Sequence, residues 1–150
     1  METKQEGSDF IVNITIDAPR ETVHKLLTEI AGLKQWWENP VKGTPDTGGN
    51  LRFEFQGSDE HSVMKVDSAT VDKVKWTVME DTGFNGEWVG TTMVFELIQK
   101  DGYQMELKFR HVGLTPDLIS YAPCKEAWGY YLTNIKKIGE QVHRESSTSR

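Results

Sequence analysis

The segment spanning residues 123–142 constrains the fold most, because its apolar residues recur at steps of three and four. Pro123 suits the first turn of a helix, where its missing N–H costs nothing. A helix of this length extends about 30 Å and, being apolar on one side only, needs a broad surface to pack against. Its predicted buried stripe comprises Cys124, Trp128, Tyr131, Ile135, Ile138 and Val142, flanked by Ala127 and Leu132.

The preceding chain supplies that surface, since most of it alternates apolar and polar residues as β-strands do. Short turns between most of the strands predict antiparallel neighbours, and the charged face of the sheet is expected to face water. The last helix alone is long enough to cover the apolar face. The predicted strands are residues 10–16, 51–56, 64–67, 73–78, 93–97 and 103–110.

Two short helices are predicted between the first and second strands. Pro19 stands at the start of the first helix, and Gly32 is expected to end it. Residues 33–38 form the second helix, which carries Trp36 and Trp37. Neighbouring side chains on a helix point about 100° apart, so we expect one Trp in the core and the other in a crevice or solvent.

Length and composition favour one self-sufficient domain. The chain has 150 residues, a net charge of −6 and one cysteine, Cys124, so it forms no internal disulfide. The negative charge argues against nucleic-acid binding. No apolar run is long enough for a membrane span, and the N-terminus lacks the apolar core of a signal peptide. We therefore expect a cytoplasmic domain over residues 9–143, with flexible tails at 1–8 and 144–150.

Four stretches together resemble a known family: residues 16–23, 33–37, 48–53 and 110–114, the last followed by Trp128, Gly129 and Leu132. In this order they resemble the AHSA-like family, named for homology to the activator of the heat-shock chaperone ATPase, within the START-like (SRPBCC) superfamily. The resemblance implies an α+β helix-grip fold. In that fold a curved antiparallel sheet of six or seven strands wraps around a long C-terminal helix, and two short helices follow the first strand.

The resemblance also implies a cavity between the sheet and the last helix, where superfamily members bind sterols, lipids, plant hormones or polyketide-like aromatics. The chain's many aromatic residues suit the wall of such a cavity, although they suit an ordinary core as well. The candidate ligand-binding residues are Trp36, Trp37, Phe53, Trp76, Glu80, Trp88, Phe95, Met105, Phe109, His111, Tyr121, Trp128 and Tyr131.

Glu80 and His111 are the polar members of this set. Strand alternation places both on the inward side at strand ends, where they could orient a ligand or, within hydrogen-bond reach of each other, perform acid–base chemistry. The alternative is that both are solvated, as ionisable groups at strand ends commonly are.

Three functions follow as hypotheses. The first is binding of a small apolar or aromatic molecule in the cavity. The second is interaction with a chaperone through the outer sheet face and the loop 81–90, where Phe84 and Trp88 look exposed. The third is a cyclase-type enzyme, which requires Glu80 close to His111. The family has no catalytic motif to carry over, and the sequence predicts no metal or cofactor site. We expect a monomer or a weak homodimer formed through an exposed strand edge.

Overall fold

The computed structural model describes residues 2–6, 9–55, 57–83 and 86–148, with side chains for 10–55, 57–83 and 86–145. These residues form one antiparallel sheet and three helices. The strands are β1 (Glu2–Glu6), β2 (Asp9–Ile16), β3 (Val41–Gly43), β4 (Asn50–Glu54), β5 (His61–Thr70), β6 (Lys73–Asp81), β7 (Thr92–Asp101) and β8 (Gln104–Val112). Their order in the sheet is β1-β2-β8-β7-β6-β5-β4-β3. The helices are α1 (Arg20–Thr28), α2 (Ile30–Trp37) and α3 (Tyr121–Thr148).

The long helix α3 packs against α1, α2 and β2, and it buries the stripe that the sequence predicted. Cys124, Trp128, Leu132 and Ile135 are each at most 1% exposed, whereas Val142 is 41% exposed. The helix begins two residues earlier than predicted and ends six residues later. The expected α+β helix-grip architecture is therefore confirmed.

The junction between α1 and α2 lies at Glu29 and not at Gly32. Glu29 has an extended backbone, with φ −124° and ψ 137°, and Gly32 sits inside α2. A Cβ on Gly32 would lie 2.5 Å from the carbonyl oxygen of Lys25 and 2.8 Å from Cα of Leu26. Gly32 is therefore the contact point at which the two helices cross closely, and the expectation that it ends the first helix was wrong.

Both tryptophans of α2 are buried, contrary to the expectation that one would face a crevice or solvent. Trp36 is fully buried and donates its indole N–H to the carbonyl of Leu26 at 2.7 Å. Trp37 is 1% exposed and donates to the carbonyl of Glu54 at 2.8 Å. The helix thus lies between α1 on one side and β4 on the other, and the interior surrounds more than one of its faces.

A β-bulge in β6 changes which residues at its end face inward. Val63 pairs with Glu80 and Met64 with Val78, so Met79 has no opposite residue on β5. The extra residue reverses the alternation, as bulges do. Asp81 is consequently buried and the side chain of Glu80 is 57% exposed, which corrects the prediction that Glu80 faces the interior.

Regular secondary structure extends into both ends of the described chain. Glu2–Glu6 pairs with β2 as an edge strand, and α3 continues to Thr148. With the short strand β3, the sheet has eight strands where six or seven were expected. The sequence pattern missed β1 because its residues are uniformly polar and show no alternation. None of the described helices combines the length and the apolar character needed to cross a bilayer.

Candidate functional site

Ten of the thirteen candidate residues lie in the space between the sheet and α3, and each is at most 1% exposed. Tyr121 and Tyr131 are partly buried at the margin of this group, and Glu80 lies outside it. We call the ten buried residues the aromatic interior: Trp36, Trp37, Phe53, Trp76, Trp88, Phe95, Met105, Phe109, His111 and Trp128.

The rings of the aromatic interior lie against one another. Trp36 and Trp76 are stacked with centroids 6.5 Å apart and planes 4° from parallel. Phe109 lies 4.3 Å from Trp128, and Tyr131 stacks on Trp37 at 4.5 Å. Favourable aromatic pairs have centroids about 4.5–7 Å apart, so these rings are in contact in the region where the sequence predicted a cavity.

His111, a candidate for polar chemistry, is bonded at both ring nitrogens. Trp128 donates its indole N–H to Nδ1 at 3.1 Å, and Nε2 lies 2.8 Å from the hydroxyl of Thr91. Because Nδ1 accepts, the proton of the neutral ring is on Nε2, which donates to Thr91. The Thr91 hydroxyl in turn donates to the carbonyl of Trp88 at 2.6 Å. Burial lowers the pKa of His111 to about 3, so the ring is neutral at physiological pH.

Trp88 is buried against α3, although the sequence suggested that it is exposed. Its indole N–H donates to Sγ of Cys124 at 2.9 Å, and its ring stacks on Trp128 at 5.9 Å. Burial raises the pKa of the Cys124 thiol to about 11, which keeps the thiol protonated and unreactive. Phe84, the other aromatic residue of this loop, lies outside the described residues.

Two carboxylates that the sequence analysis did not single out hold the loop between β6 and β7. Asp81 accepts hydrogen bonds from the Ser62 hydroxyl at 2.9 Å and from the N–H of Gly83 at 3.0 Å. Glu87 accepts from the N–H groups of Ser120 at 2.7 Å and Ile119 at 3.1 Å. The Ser120 side chain and these N–H groups hold the pKa of the Glu87 carboxyl below its usual range. Glu87 and Ser120 lie too far apart in sequence for local patterns to reveal the contact.

Glu80 and His111 do not form the acid–base pair that the cyclase hypothesis required. Oε1 of Glu80 lies 3.3 Å from Nε2 of His61, on the exposed side of the sheet end. His111 is fully buried, and its ring nitrogens are occupied by Trp128 and Thr91. Neither group is therefore positioned to exchange a proton with the other.

Trp76 and Tyr131 each place a polar group within or at the margin of the aromatic interior. The indole N–H of Trp76 has no hydrogen-bond partner among the described residues, although the side chain is 1% exposed. Most buried hydrogen-bond donors have a partner, so this unpaired N–H is available to an acceptor atom of a bound molecule. Burial raises the pKa of the Tyr131 hydroxyl to about 12, which keeps it protonated.

A groove of about 370 Å³ lies elsewhere on the surface, between α1, α2 and the end of α3. None of the thirteen candidate residues lines it. Its apolar wall includes Leu26, Gly32 and Val142, and its charged rim includes Glu21 and Lys25. Its dimensions suit a small molecule.

A comparison with protein families matches residues 17–140 to the family described as "Activator of Hsp90 ATPase homolog 1-like protein". The chain belongs to this family. The match covers α1 to most of α3, including the whole aromatic interior. A search of curated proteins found no match.

Several solved structures share the fold of this chain. The Aha1 dimer from Colwellia psychrerythraea is 26% identical, with a TM-score of 0.74 over 88% of this chain and 96% of that one. PFC0360w, an HSP90 activator from Plasmodium falciparum, is 20% identical, with a TM-score of 0.72 and the same coverage. DynU16, a protein in the dynemicin biosynthetic locus, is 16% identical, with a TM-score of 0.68 over 88% of this chain and 47% of that one. Similarity at the identities of the last two shows the fold alone.

Proposed function

We propose that this protein is a chaperone-related interaction module that acts through its surface. The observation that carries the proposal is the close ring packing of the aromatic interior between the sheet and α3, which favours binding through outer residues. A partner protein is then bound through residues on the outer surface. Family membership supports a chaperone of the Hsp90 class as the partner.

Three exposed apolar side chains near the loop between β6 and β7 support this proposal. Met79 is 55% exposed, Val89 is 52% exposed and Ile119 is 80% exposed. Gly90 bonds the carbonyl of Val78, and Glu87 accepts the N–H of Ile119, so these residues surround the loop between β6 and β7. Clustered large apolar side chains on a surface commonly mark interaction sites. We call Met79, Val89 and Ile119 the end patch.

Titration with a purified Hsp90-class chaperone tests the proposal. We expect the wild-type protein to bind and to change the chaperone's rate of ATP hydrolysis. The double variant Val89→Ser with Ile119→Ser should bind about tenfold more weakly, because the apolar contact is lost. Tyr103→Ser is the matched control, since Tyr103 is 66% exposed but lies in the β7–β8 turn. Absence of binding by the wild-type protein, or equal effects of both variants, would overturn the proposal.

A second proposed function is binding of a small apolar or aromatic molecule among the rings of the aromatic interior. The observation in its favour is the unpaired indole N–H of Trp76, which a ligand acceptor would satisfy. A guest would have to displace rings such as Trp36, which stacks on Trp76. Tyr121 and Tyr131 would border the bound molecule.

Native mass spectrometry of freshly purified protein tests this second function. We expect a bound small molecule on the wild-type protein and reduced retention in Trp76→Phe, which keeps an aromatic ring but removes the donor. Trp88→Phe is the control, because the N–H of Trp88 is already bonded to Cys124. A wild-type protein that carries no small molecule and fails to bind a naphthalene-based fluorescent probe would end this proposal.

A further inference from the structure

Strand register brings four cationic side chains together on the outer face of the sheet. Lys73 on β6 and Lys108 on β8 both pair with Glu96 of the intervening β7. Lys75 and Arg110 likewise flank Val94 of β7. Their strand neighbours, including Trp76 and Phe109, are buried in the interior, so these cations face outward. We call Lys73, Lys75, Lys108 and Arg110 the outer patch.

The outer patch opposes the charge of the rest of the molecule. Its four cations lie around the carboxylate of Glu96, with Asp72 beside Lys73 and with Glu106, which pairs with Lys100, two residues from Lys108. The whole chain has a net charge of −6. Among the described residues, no carboxylate forms an ion pair with Lys73, Lys75 or Lys108. Like charges held this close repel one another unless an anion lies between them. The outer patch is therefore a compact positive region on an acidic protein.

The floor of the outer patch is apolar. Val94 points outward from β7 but is only 3% exposed. Its cross-strand neighbours are Lys75 and Arg110, whose alkyl stems can cover it while their charged groups stay in solvent. The charged groups therefore lie around Val94, which is itself covered.

We propose that the outer patch binds a short acidic polypeptide segment of a partner protein. Lys73 and Lys75 are separated by about 7 Å along the strand, and Lys73 and Lys108 by about 10 Å across β7. An extended peptide also repeats its same-side residues about every 7 Å, so alternating carboxylates match the cations. A nucleic acid or an anionic bilayer extends beyond the patch and meets a chain whose net charge is −6, which disfavours binding of either.

This inference rests on the proposed function in one respect: both require that the binding partner is a protein. The end patch supplies apolar contact and the outer patch supplies charge. Electrostatic contacts such as those of the outer patch mainly accelerate association and select partners of opposite charge.

A labelled synthetic peptide that alternates Glu and Ser is the probe, and fluorescence anisotropy measures its binding. We expect saturable binding that weakens as the salt concentration rises, and no binding of the matched Gln–Ser peptide. The double variant Lys73→Gln with Lys108→Gln should weaken peptide binding at least about fivefold. Lys125→Gln with Lys137→Gln removes the same charge from exposed positions of α3 and should change binding less than about twofold. Unchanged melting temperatures establish that both variants fold.

Three results would overturn the proposal: no binding of the Glu–Ser peptide, equal loss in both double variants, or tighter patch-dependent binding of single-stranded DNA or phosphatidylserine vesicles. Peptide binding without chaperone binding would refute the proposed function and would still support the proposal that the outer patch binds an acidic segment. The opposite result is also possible: the chaperone binds equally well to the Lys73 and Lys108 variant, and the peptide does not bind. That result would refute only the proposal for the outer patch.

Discussion

Trp128 on α3 donates its indole N–H to Nδ1 of His111 on β8 across 3.1 Å. This contact joins the long helix to the sheet at the centre of the aromatic interior. It also selects the tautomer of His111, since an accepting Nδ1 leaves the proton on Nε2 to donate to Thr91. His111 is thus a structural residue that requires its neutral form.

The stability of the fold should depend on His111 below neutral pH. Its pKa of about 3 in the folded protein lies below the ordinary value of 6.5, so the unfolded chain binds the proton first as the pH falls. The contribution of His111 is complete above pH 6.5 and is lost between that value and about 3. Urea unfolding should show that the advantage of wild type over His111→Gln shrinks by about 1 kcal/mol per pH unit below 6.5. Parallel pH profiles for the two proteins would contradict this role.

Glu87 should control the order of the chain that leads into α3. Its carboxylate accepts two backbone N–H groups, from Ile119 and Ser120, and Glu87→Ala leaves both without this partner. We expect amide hydrogen exchange at these two positions to accelerate by about tenfold or more while exchange in β8 is unchanged. Glu126→Ala, an exposed change on α3, serves as the control and should leave both rates as they are.

The same carboxylate carries a pH prediction. The lowered pKa of Glu87 means that its stabilising contacts are present above the ordinary carboxyl pKa and are lost as the pH falls through its folded value. Exchange at Ile119 and Ser120, corrected for the intrinsic pH dependence of exchange, should therefore rise at acidic pH in the wild-type protein. Glu87→Gln should not show this rise, because its amide does not titrate in that range.

Trp88 should behave as a core residue. Removing its side chain in Trp88→Ala deletes the stacking on Trp128 and the bond to Cys124, and should lower the free energy of unfolding by about 3–5 kcal/mol. Trp88→Phe retains most of the apolar volume and should cost clearly less. Thermal or chemical unfolding measures both. A surface residue, which the sequence pattern suggested, would change stability by only about 0.5 kcal/mol.

Two helical glycines should respond oppositely to the same substitution. Gly32→Ala places a Cβ 2.5 Å from a backbone oxygen of α1, which forces the helices apart and should cost about 1–3 kcal/mol. Gly129→Ala meets nothing within 4 Å and should stabilise α3 by about 0.5–1 kcal/mol. The difference in unfolding midpoints between the two variants measures the closeness of the α1–α2 contact. Stabilisation by both would show that this contact is loose.

Burial was predicted correctly for most of the candidate residues, but not for Glu80 or Trp88. Trp76, Phe95 and Phe109 lie inside because each occupies a part of its strand where inward and outward side chains alternate regularly. Glu80 was misplaced because a bulge at Met79 reverses the alternation, and nothing in the local sequence marks that bulge. Trp88 was misplaced because its loop is rich in glycine, and the helix that buries it follows much later in the chain.

Local periodicity is enough to predict the principal strands and the long helix. Residues at steps of two predicted the strands, and residues at steps of three and four predicted α3, because burial of one face requires those spacings. The packing of the interior rings and the pairing of the polar groups depend on tertiary contacts. Contacts such as Trp128 with His111 and Glu87 with Ser120 join distant parts of the chain, so they exist only once the helix lies on the sheet.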